Sequence, residues 1–381
     1  MLFFYRSILT QLFLNVYFIY RVEKCRRINT FLKYLLYSVI ACETLIFFTG
    51  IVSREYLPLE YYTLIQTISA YWTVSSLYFA VFLSVFDLLF FLNGKWVFYI
   101  RFRQIALLSI DTILLALFLL YINAHFQSSS DRYLEPQIKK YAFHFDAAND
   151  TLETPTNYKL LVVSDLHLGY LIDKTVLQKY VTVMNAQQAD LIVIAGDLVD
   201  YYLEPLEKQQ MDSELKKLSA PLGIYFVPGN HEYKINAEAC FEWIRNAGIQ
   251  VLRDSVVTIG NRFQLIGRDD RKNKDHRMEW ESLLAKTDAA MPRILVSHQP
   301  GDIEDGVASN IPLIICGHTH QGQIFPVNLL GYLLYSNLYG LKKEGNSASY
   351  TTSGLGLSGF PFRIGSKSEM VIFTVEFDRC R

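Results

Sequence analysis

The pattern of apolar and polar positions divides this chain in two. Before about residue 125, long apolar and aromatic stretches dominate. After it, short apolar runs alternate with charges and turn residues. Four stretches in the first part, 2–20, 31–51, 63–92 and 105–123, each reach the ~20 residues that span a hydrocarbon core. The third is long enough to tilt or extend into the interface. The first is the weakest, because it carries Arg6 and Gln11 and could lie in the interface instead. No small-residue cleavage site follows it, so it does not read as a cleavable signal peptide.

Residues 125–156 read as a polar connector, with Ser128, Ser129 and Ser130 as its flexible spot. Alternation at 141–145 predicts a first strand. Apolar runs at 160–164, 191–195, 224–227, 294–296 and 313–316 read as buried strands. Helical stretches at 174–187, 207–218, 237–247 and 279–286 separate them, and further strands are expected near 256–266 and 370–377. This alternation predicts an α/β sandwich of two packed β-sheets flanked by helices. The segment 324–363, rich in Gly, Leu, Tyr and Phe, reads as a long loop on a rim. The expected organisation is a transmembrane helical anchor of about four helices over 1–124, the connector, and a catalytic domain over 157–381.

The chemistry sits where the apolar runs end. Asp165 and His167 follow the first run, Asp197 and Asp200 the second, and Asn230 and His231 the third. His298 follows the fourth, and His318 and His320 the fifth. Parallel strands can converge such side chains on one point. Asp165 and His167 are two apart and can reach one metal; the Asp197 carboxylate can bridge two cations; Asn230 offers a neutral amide oxygen. With three further imidazoles, the set gives about seven mixed N and O ligands, too many for one tetrahedral ion and suited to two. Two divalent ions ~3.5–4 Å apart would hold a hydroxide and clamp the oxygens of an in-line phosphoryl displacement. His231 could then meet the leaving-group oxygen as general acid, and Asp200 could orient a ligand His. Arg268 and Arg363 could grip substrate phosphate through a bidentate fork. The ligand set suits Mn, Fe and Zn alike. Of 8 His in the chain, five lie in these motifs, so chance clustering is a poor explanation.

These motifs, DxH, GDxxD, GNHE, SH and GHTH, resemble the calcineurin-like metallophosphoesterases over roughly residues 157–377. By that resemblance Asp165, His167, Asp197 and His320 hold the first metal. Asp197, Asn230, His298 and His318 hold the second, and His231 matches the catalytic His. The stretches from His318 to Gln323 and from Ser353 to Arg363 are similar to the tail of the membrane-associated bacterial branch, which vertebrate transmembrane proteins with this domain share. Gln321 stands where that branch usually has Gly, a change expected at the pocket rim. The Arg-Gly pair that follows GDxxD in protein Ser/Thr phosphatases is replaced by Tyr201 and Tyr202, which argues against that class.

Charge adds orientation. Arg21, Lys24, Arg26 and Arg27 follow the first apolar stretch, and Lys95, Arg101 and Arg103 follow the third. Both basic loops are expected in the cytoplasm, which sends the fourth stretch outward and the catalytic domain to the extracytoplasmic side. Glu43, Asp87 and Asp111 fall within or near apolar stretches, where charge is costly. The formal net charge of -1 gives no reason to expect nucleic acid. Cys25, Cys42, Cys240, Cys316 and Cys380 show no disulfide or zinc spacing. The expected substrate is a phosphate ester, diester or pyrophosphate of a lipid or lipid-linked envelope intermediate at the bilayer. A UDP-2,3-diacylglucosamine hydrolase is the named alternative, and it needs a cytosolic substrate. A non-catalytic receptor or scaffold, and a transporter with a regulatory domain, are the alternatives of other classes.

Overall fold

The structure is a computed structural model, and it describes residues 2–24, 29–52, 57, 59–92, 134–145 and 157–377. The chain divides into two compact units, 1–127 and 128–381.

In the first unit, three helices are described: α1 (Leu2–Lys24), α2 (Thr30–Val52) and α3 (Leu59–Leu92). Among the described residues, two spans are long and apolar enough to cross a membrane, Thr30–Thr49 and Tyr61–Val85. This corrects the expectation of about four. Helix α1 has the length but a much lower apolar content than α2 and α3, in keeping with Arg6, Gln11 and Arg21 along it. The expected fourth stretch, with Asp111, Lys95, Arg101 and Arg103, lies outside the described residues. A buried polar cluster ties the three helices together. Gln11 Nε2 donates to Glu43 Oε2 at 3.0 Å, and Thr73 Oγ1 donates to Gln11 Oε1 at 3.1 Å. Asn15 Nδ2 donates to Thr44 Oγ1 at 2.8 Å. Glu43 is thus paired across helices, and such polar pairs give apolar helices a unique packing register.

The second unit is built on two six-stranded sheets. The first has the order β1 (Gln137–Phe145), β12 (Glu369–Phe377), β2 (Tyr158–Val163), β3 (Leu191–Ala195), β4 (Ile224–Val227) and β5 (Gln250–Val251). Strands β2 to β5 are parallel, and β12 runs antiparallel to β2. The second sheet has the order β10 (Gly340–Glu344), β11 (Ser347–Thr351), β9 (Leu313–Cys316), β8 (Arg293–Val296), β7 (Phe263–Gly267) and β6 (Ser255–Ile259). Its central strands β7, β8, β9 and β11 are parallel, between antiparallel edges. Both sheets are therefore mixed.

The layering follows from the two-residue period of strand side chains. In β2, Leu160 and Val162 point into the core between the sheets, where they meet Leu265, Ile294 and Ile315. Leu161 and Val163 point the other way, onto α4 (Lys174–Ala186) and α7 (Ala237–Asn246), where Leu177, Tyr180, Phe241 and Ile244 are buried. On the outer face of the second sheet, Ile266, Leu295 and Ile314 pack on Leu283 of α8 (Trp280–Leu284) and Ile303 of α9 (Ile303–Ala308). The result is the expected α/β sandwich of two sheets flanked by helices.

Several elements depart from expectation. The helix expected over 207–218 is two short ones, α5 (Glu204–Lys208) and α6 (Met211–Leu215). They are separated at Gln210, whose φ of 52° breaks the helical path. The strand expected near 256–266 is the hairpin of β6 and β7. The expected loop over 324–363 contains α10 (Val327–Leu334) and the β10–β11 hairpin. Strand β1 starts within the expected connector and pairs with β12.

Candidate active site

The polar motifs follow the ends of β2, β3 and β4, parallel in the first sheet, and of β8 and β9, parallel in the second. Backbone geometry there is unusual. Asp165, His167, Asp197, His318 and His320 all have positive φ, between 48° and 72°. Non-glycine residues rarely hold that conformation, and it collects at functional sites. The loops must also approach closely. A Cβ at Gly229 would overlap Asp197, and one at Gly317 would overlap Ser164 and Asp165. Both positions need glycine for space alone.

The side chains converge. His320 Nε2 lies 3.2 Å from Asp165 Oδ1 and 3.1 Å from His167 Nε2. Asp197 Oδ2 lies 3.2 Å from His298 Nε2 and 3.7 Å from His167 Nε2. Asp165 with His167 and His320, and Asp197 with His298 and His318, each bring three ligand atoms within 4.8 Å of one another. Asn230 is buried and precedes His231, whose backbone N–H donates to Asp197 Oδ1 at 2.9 Å. The seven residues named from sequence as metal ligands thus meet in one place.

The remaining hydrogen bonds fix the rings. Asp200 Oδ1 accepts from His167 Nδ1 at 3.2 Å, which leaves His167 Nε2 facing the cluster. The same oxygen lies 3.1 Å from His231 Nδ1, which leaves His231 Nε2 3.9 Å from Asp197 Oδ2. Asp200 therefore orients two imidazoles at once. His298 Nδ1 donates to the Ala195 carbonyl at 2.8 Å. Orienting carboxylates of this kind typically contribute about 10–100-fold to metal affinity or activity. Replacing Asp200 by Asn is expected to lower turnover by about that factor while leaving thermal unfolding unchanged, and paired kinetic and melting measurements check it.

Burial and charge set the protonation states. Burial alone would raise Asp197, but His298, His231 and His167 outweigh it and hold its carboxyl well below the usual range. Asp165 is likewise held low against burial, by His320 and His298. Burial would lower His298, yet Asp197, Asp165 and Asp270 push it up to about 10. Burial lowers His318 and His320 to about 4. His298 thus carries a proton at neutral pH when no cation is bound. A cation must displace it, so metal affinity is expected to tighten as pH rises toward about 10. Calorimetry in buffers of different ionisation enthalpy would read the released proton.

Sequence reasoning missed one residue, Glu232. It is fully buried and accepts from three backbone N–H groups, Gly229 at 2.8 Å, Val199 at 3.0 Å and Asp197 at 3.2 Å. It clamps the loop after β3 to the loop after β4, and burial with Asp197 nearby raises it to about 7. Its signal was the carboxylate three residues after Gly229 in a segment otherwise assigned to ligands. Glu232→Ala leaves three buried donors unpaired, at ~1–3 kcal/mol each when independent. A loss of about 3–5 kcal/mol is expected, given that such effects are not additive. At ~2–4 °C per kcal/mol that is about 10 °C in Tm, which calorimetry would read.

Of the two arginines named as phosphate contacts, Arg363 lies against His320 and Arg268 against Asp254. Arg363 is buried, and its guanidinium donates to the carbonyls of Gly356 at 2.7 Å and Gly354 at 3.2 Å, and to His320 Nδ1 at 3.3 Å. Burial lowers it to about 10. It ties the C-terminal tail to the His320 turn and does not project into the cluster. Arg268 pairs with Asp254 at 2.6 Å and donates to the Met278 carbonyl at 2.7 Å. A carboxylate 14 residues earlier in sequence has taken up its charge.

Comparison with known proteins agrees with this geometry. The family model of the calcineurin-like phosphoesterases matches residues 158–322. An uncharacterized metallophosphoesterase of Helicobacter pylori (strain J99 / ATCC 700824) is 33% identical over 240 residues, covering 62% of this chain and 62% of that protein. A transmembrane protein with metallophosphoesterase domain from Danio rerio is 32% identical over 233 residues, covering 57% and 53%. An uncharacterized metallophosphoesterase of Aquifex aeolicus (strain VF5) is 29% identical over 249 residues, covering 63% and 92%. The chain spans less than two thirds of the length of the first two. The strand ends, the convergent Asp, His and Asn side chains and this match over 158–322 coincide, and the chain carries a calcineurin-like metallophosphoesterase domain.

Proposed function

We propose that the chain is a membrane-anchored phosphoesterase working with two divalent ions. One observation carries the reading. Asn230 Oδ1 is buried and has no hydrogen-bond partner. Leaving such an atom unpaired costs about 1–3 kcal/mol. Asn230 precedes His231, whose backbone N–H donates to Asp197 Oδ1 at 2.9 Å, and His298 Nε2 lies 3.2 Å from Asp197 Oδ2. A cation that displaces the His298 proton is the partner that suits an imidazole lone pair, an amide oxygen and a carboxylate together.

Asp165, His167, Asp197 and His320 would hold one ion, and Asp197, Asn230, His298 and His318 the other, with Asp197 shared. Mn, Fe and Zn all suit these donors. Ions held there supply an activated water and draw charge from the phosphoryl oxygens. Asp200 keeps the His167 and His231 rings facing inward. His231 Nε2, 3.9 Å from Asp197 Oδ2, would give a proton to the departing oxygen.

Anchoring is supported by the two membrane-length helices and by relatives whose names include "transmembrane". The basic residues Arg21, Lys24, Lys95, Arg101 and Arg103 favour an extracytoplasmic catalytic domain. That side separates the site from a cytosolic nucleotide-sugar lipid, so we favour a phosphate ester, diester or pyrophosphate of a membrane lipid or envelope intermediate. The test is hydrolysis by the purified full-length chain with Mn²⁺, on an aryl phosphodiester, an aryl monoester and common phospholipids. Turnover above an Asp197→Asn blank supports the reading. Bound metal with no turnover on any substrate would favour the scaffold alternative.

A further inference from the structure

The second unit carries one exposed apolar element. Among its described residues, the large hydrophobics that are exposed are Ile138, Phe325, Leu329, Leu330, Tyr332, Leu333, Leu334 and Leu341. All but Ile138 fall within 325–341. Leu333 and Leu334 are 82% and 78% exposed. No charged residue occurs from 324 to 341, and Lys342 and Lys343 follow immediately, both exposed. A contiguous apolar patch of this kind on a soluble face marks an interaction site.

Helix α10 is seated firmly on its inner side. Gly331 packs so closely on Leu338 that a Cβ there would meet it at 2.6 Å. The Leu338 carbonyl accepts from Thr319 Oγ1 at 2.7 Å, in the turn between His318 and His320. Tyr335, just past the helix, has its ring 6.3 Å from that of His318. The helix that carries the exposed leucines is therefore followed by residues packed beside the His318–His320 turn.

We propose that α10 docks into the surface of a lipid bilayer and seats the phosphoesterase centre at the headgroup level. The class of substrate follows: a phosphoester whose remaining part is anchored in that bilayer. Eight residues at ~1.5 Å each make a helix too short to span the hydrocarbon, so it lies in the interface plane. Tyr332 beside the leucines suits that depth, and the exposed Lys343 complements anionic headgroups, while Lys342 pairs with Glu344 at 2.6 Å. The same chain carries two membrane-length helices, so a bilayer is the apolar partner always within reach. The inference deepens the membrane-anchored reading and rests on it.

The full-length chain, reconstituted in phosphatidylcholine vesicles with an anionic phosphatidylglycerol fraction, provides the test. Cys25, Cys42 and Cys380 are replaced by Ser, and a polarity-sensitive fluorophore is attached at Leu333→Cys or, as control, at Glu242→Cys. Acyl chains bearing a nitroxide quencher are expected to remove most emission at 333 and none at 242. A chain that does not reconstitute overturns the anchoring reading and the inference together. A chain that reconstitutes with position 333 unquenched overturns the inference alone, including the case where label-to-label energy transfer shows a second copy on the patch. Independently, Leu333→Asp with Leu334→Asp is expected to lower hydrolysis of a vesicle-borne phosphodiester severalfold and to leave a soluble aryl phosphodiester unaffected. An equal loss on both substrates would contradict docking.

Discussion

Replacing Asp197 by Asn is expected to lower turnover by about 10³-fold or more, the rate equivalent of losing ~4 kcal/mol of charge stabilisation. The residue touches three of the histidines in the site. Its Oδ2 lies 3.2 Å from His298 Nε2 and 3.7 Å from His167 Nε2, while Oδ1 accepts from the His231 backbone at 2.9 Å. Asparagine keeps the shape and one oxygen. It loses the charge that would hold two cations close together, and its amide nitrogen would face them. Metal content should fall along with activity, and the fold should survive, because the buried carboxylate also repels Glu232. Steady-state kinetics with metal analysis and a melting curve separate these effects. Undiminished turnover would remove Asp197 from the shared position.

His231→Ala is expected to cost about 10²–10⁴-fold in turnover, the usual contribution of a positioned acid. In the proposed arrangement this residue serves as the proton donor and not as a metal ligand, although His167, Asp200 and His231 also bring three ligand atoms within 4.8 Å of one another. Its Nδ1 is engaged by Asp200, and its Nε2 remains 3.9 Å from the nearest Asp197 oxygen. The loss should depend on the leaving group. An aryl oxide departs without help, so the variant should lose little on an aryl ester. An alkoxide needs the proton, so an alkyl diester should show the full deficit. Metal content should stay at the wild-type level. A deficit of equal size on both substrates, together with lost metal, would make His231 a ligand instead.

The candidate ligands could be read from the chain because each follows an apolar run short enough to be a buried strand. Such runs fix both direction and the end at which polar residues emerge. Asp165, His167, Asp197, Asn230, His298, His318 and His320 are near one another for that reason alone. The two-sheet arrangement followed from the same alternation. What the chain concealed depends on partners far away in sequence. Glu232 acts through backbone donors of two separate loops, and no pattern in sequence identifies them. Arg268 looked available until folding brought Asp254 to it, and Arg363 until the carbonyls of Gly354 and Gly356 surrounded it. Helix α10 was hidden by its own composition. Pro326 before it and Gly331 within it read as loop residues, and its leucines stripe no single face toward a core.

The account stands or falls on two cations sharing Asp197. Metal content of the purified full-length chain, measured by mass spectrometry beside an Asn230→Ala variant, tests it most directly. In the proposed arrangement the Asn230 oxygen, buried without a hydrogen-bond partner, would serve one ion only. The expected result is two ions per wild-type chain and one in the variant, with His167 and His320 still occupied. One ion or none in the wild-type chain, or a variant that keeps the full complement, would contradict the binuclear centre.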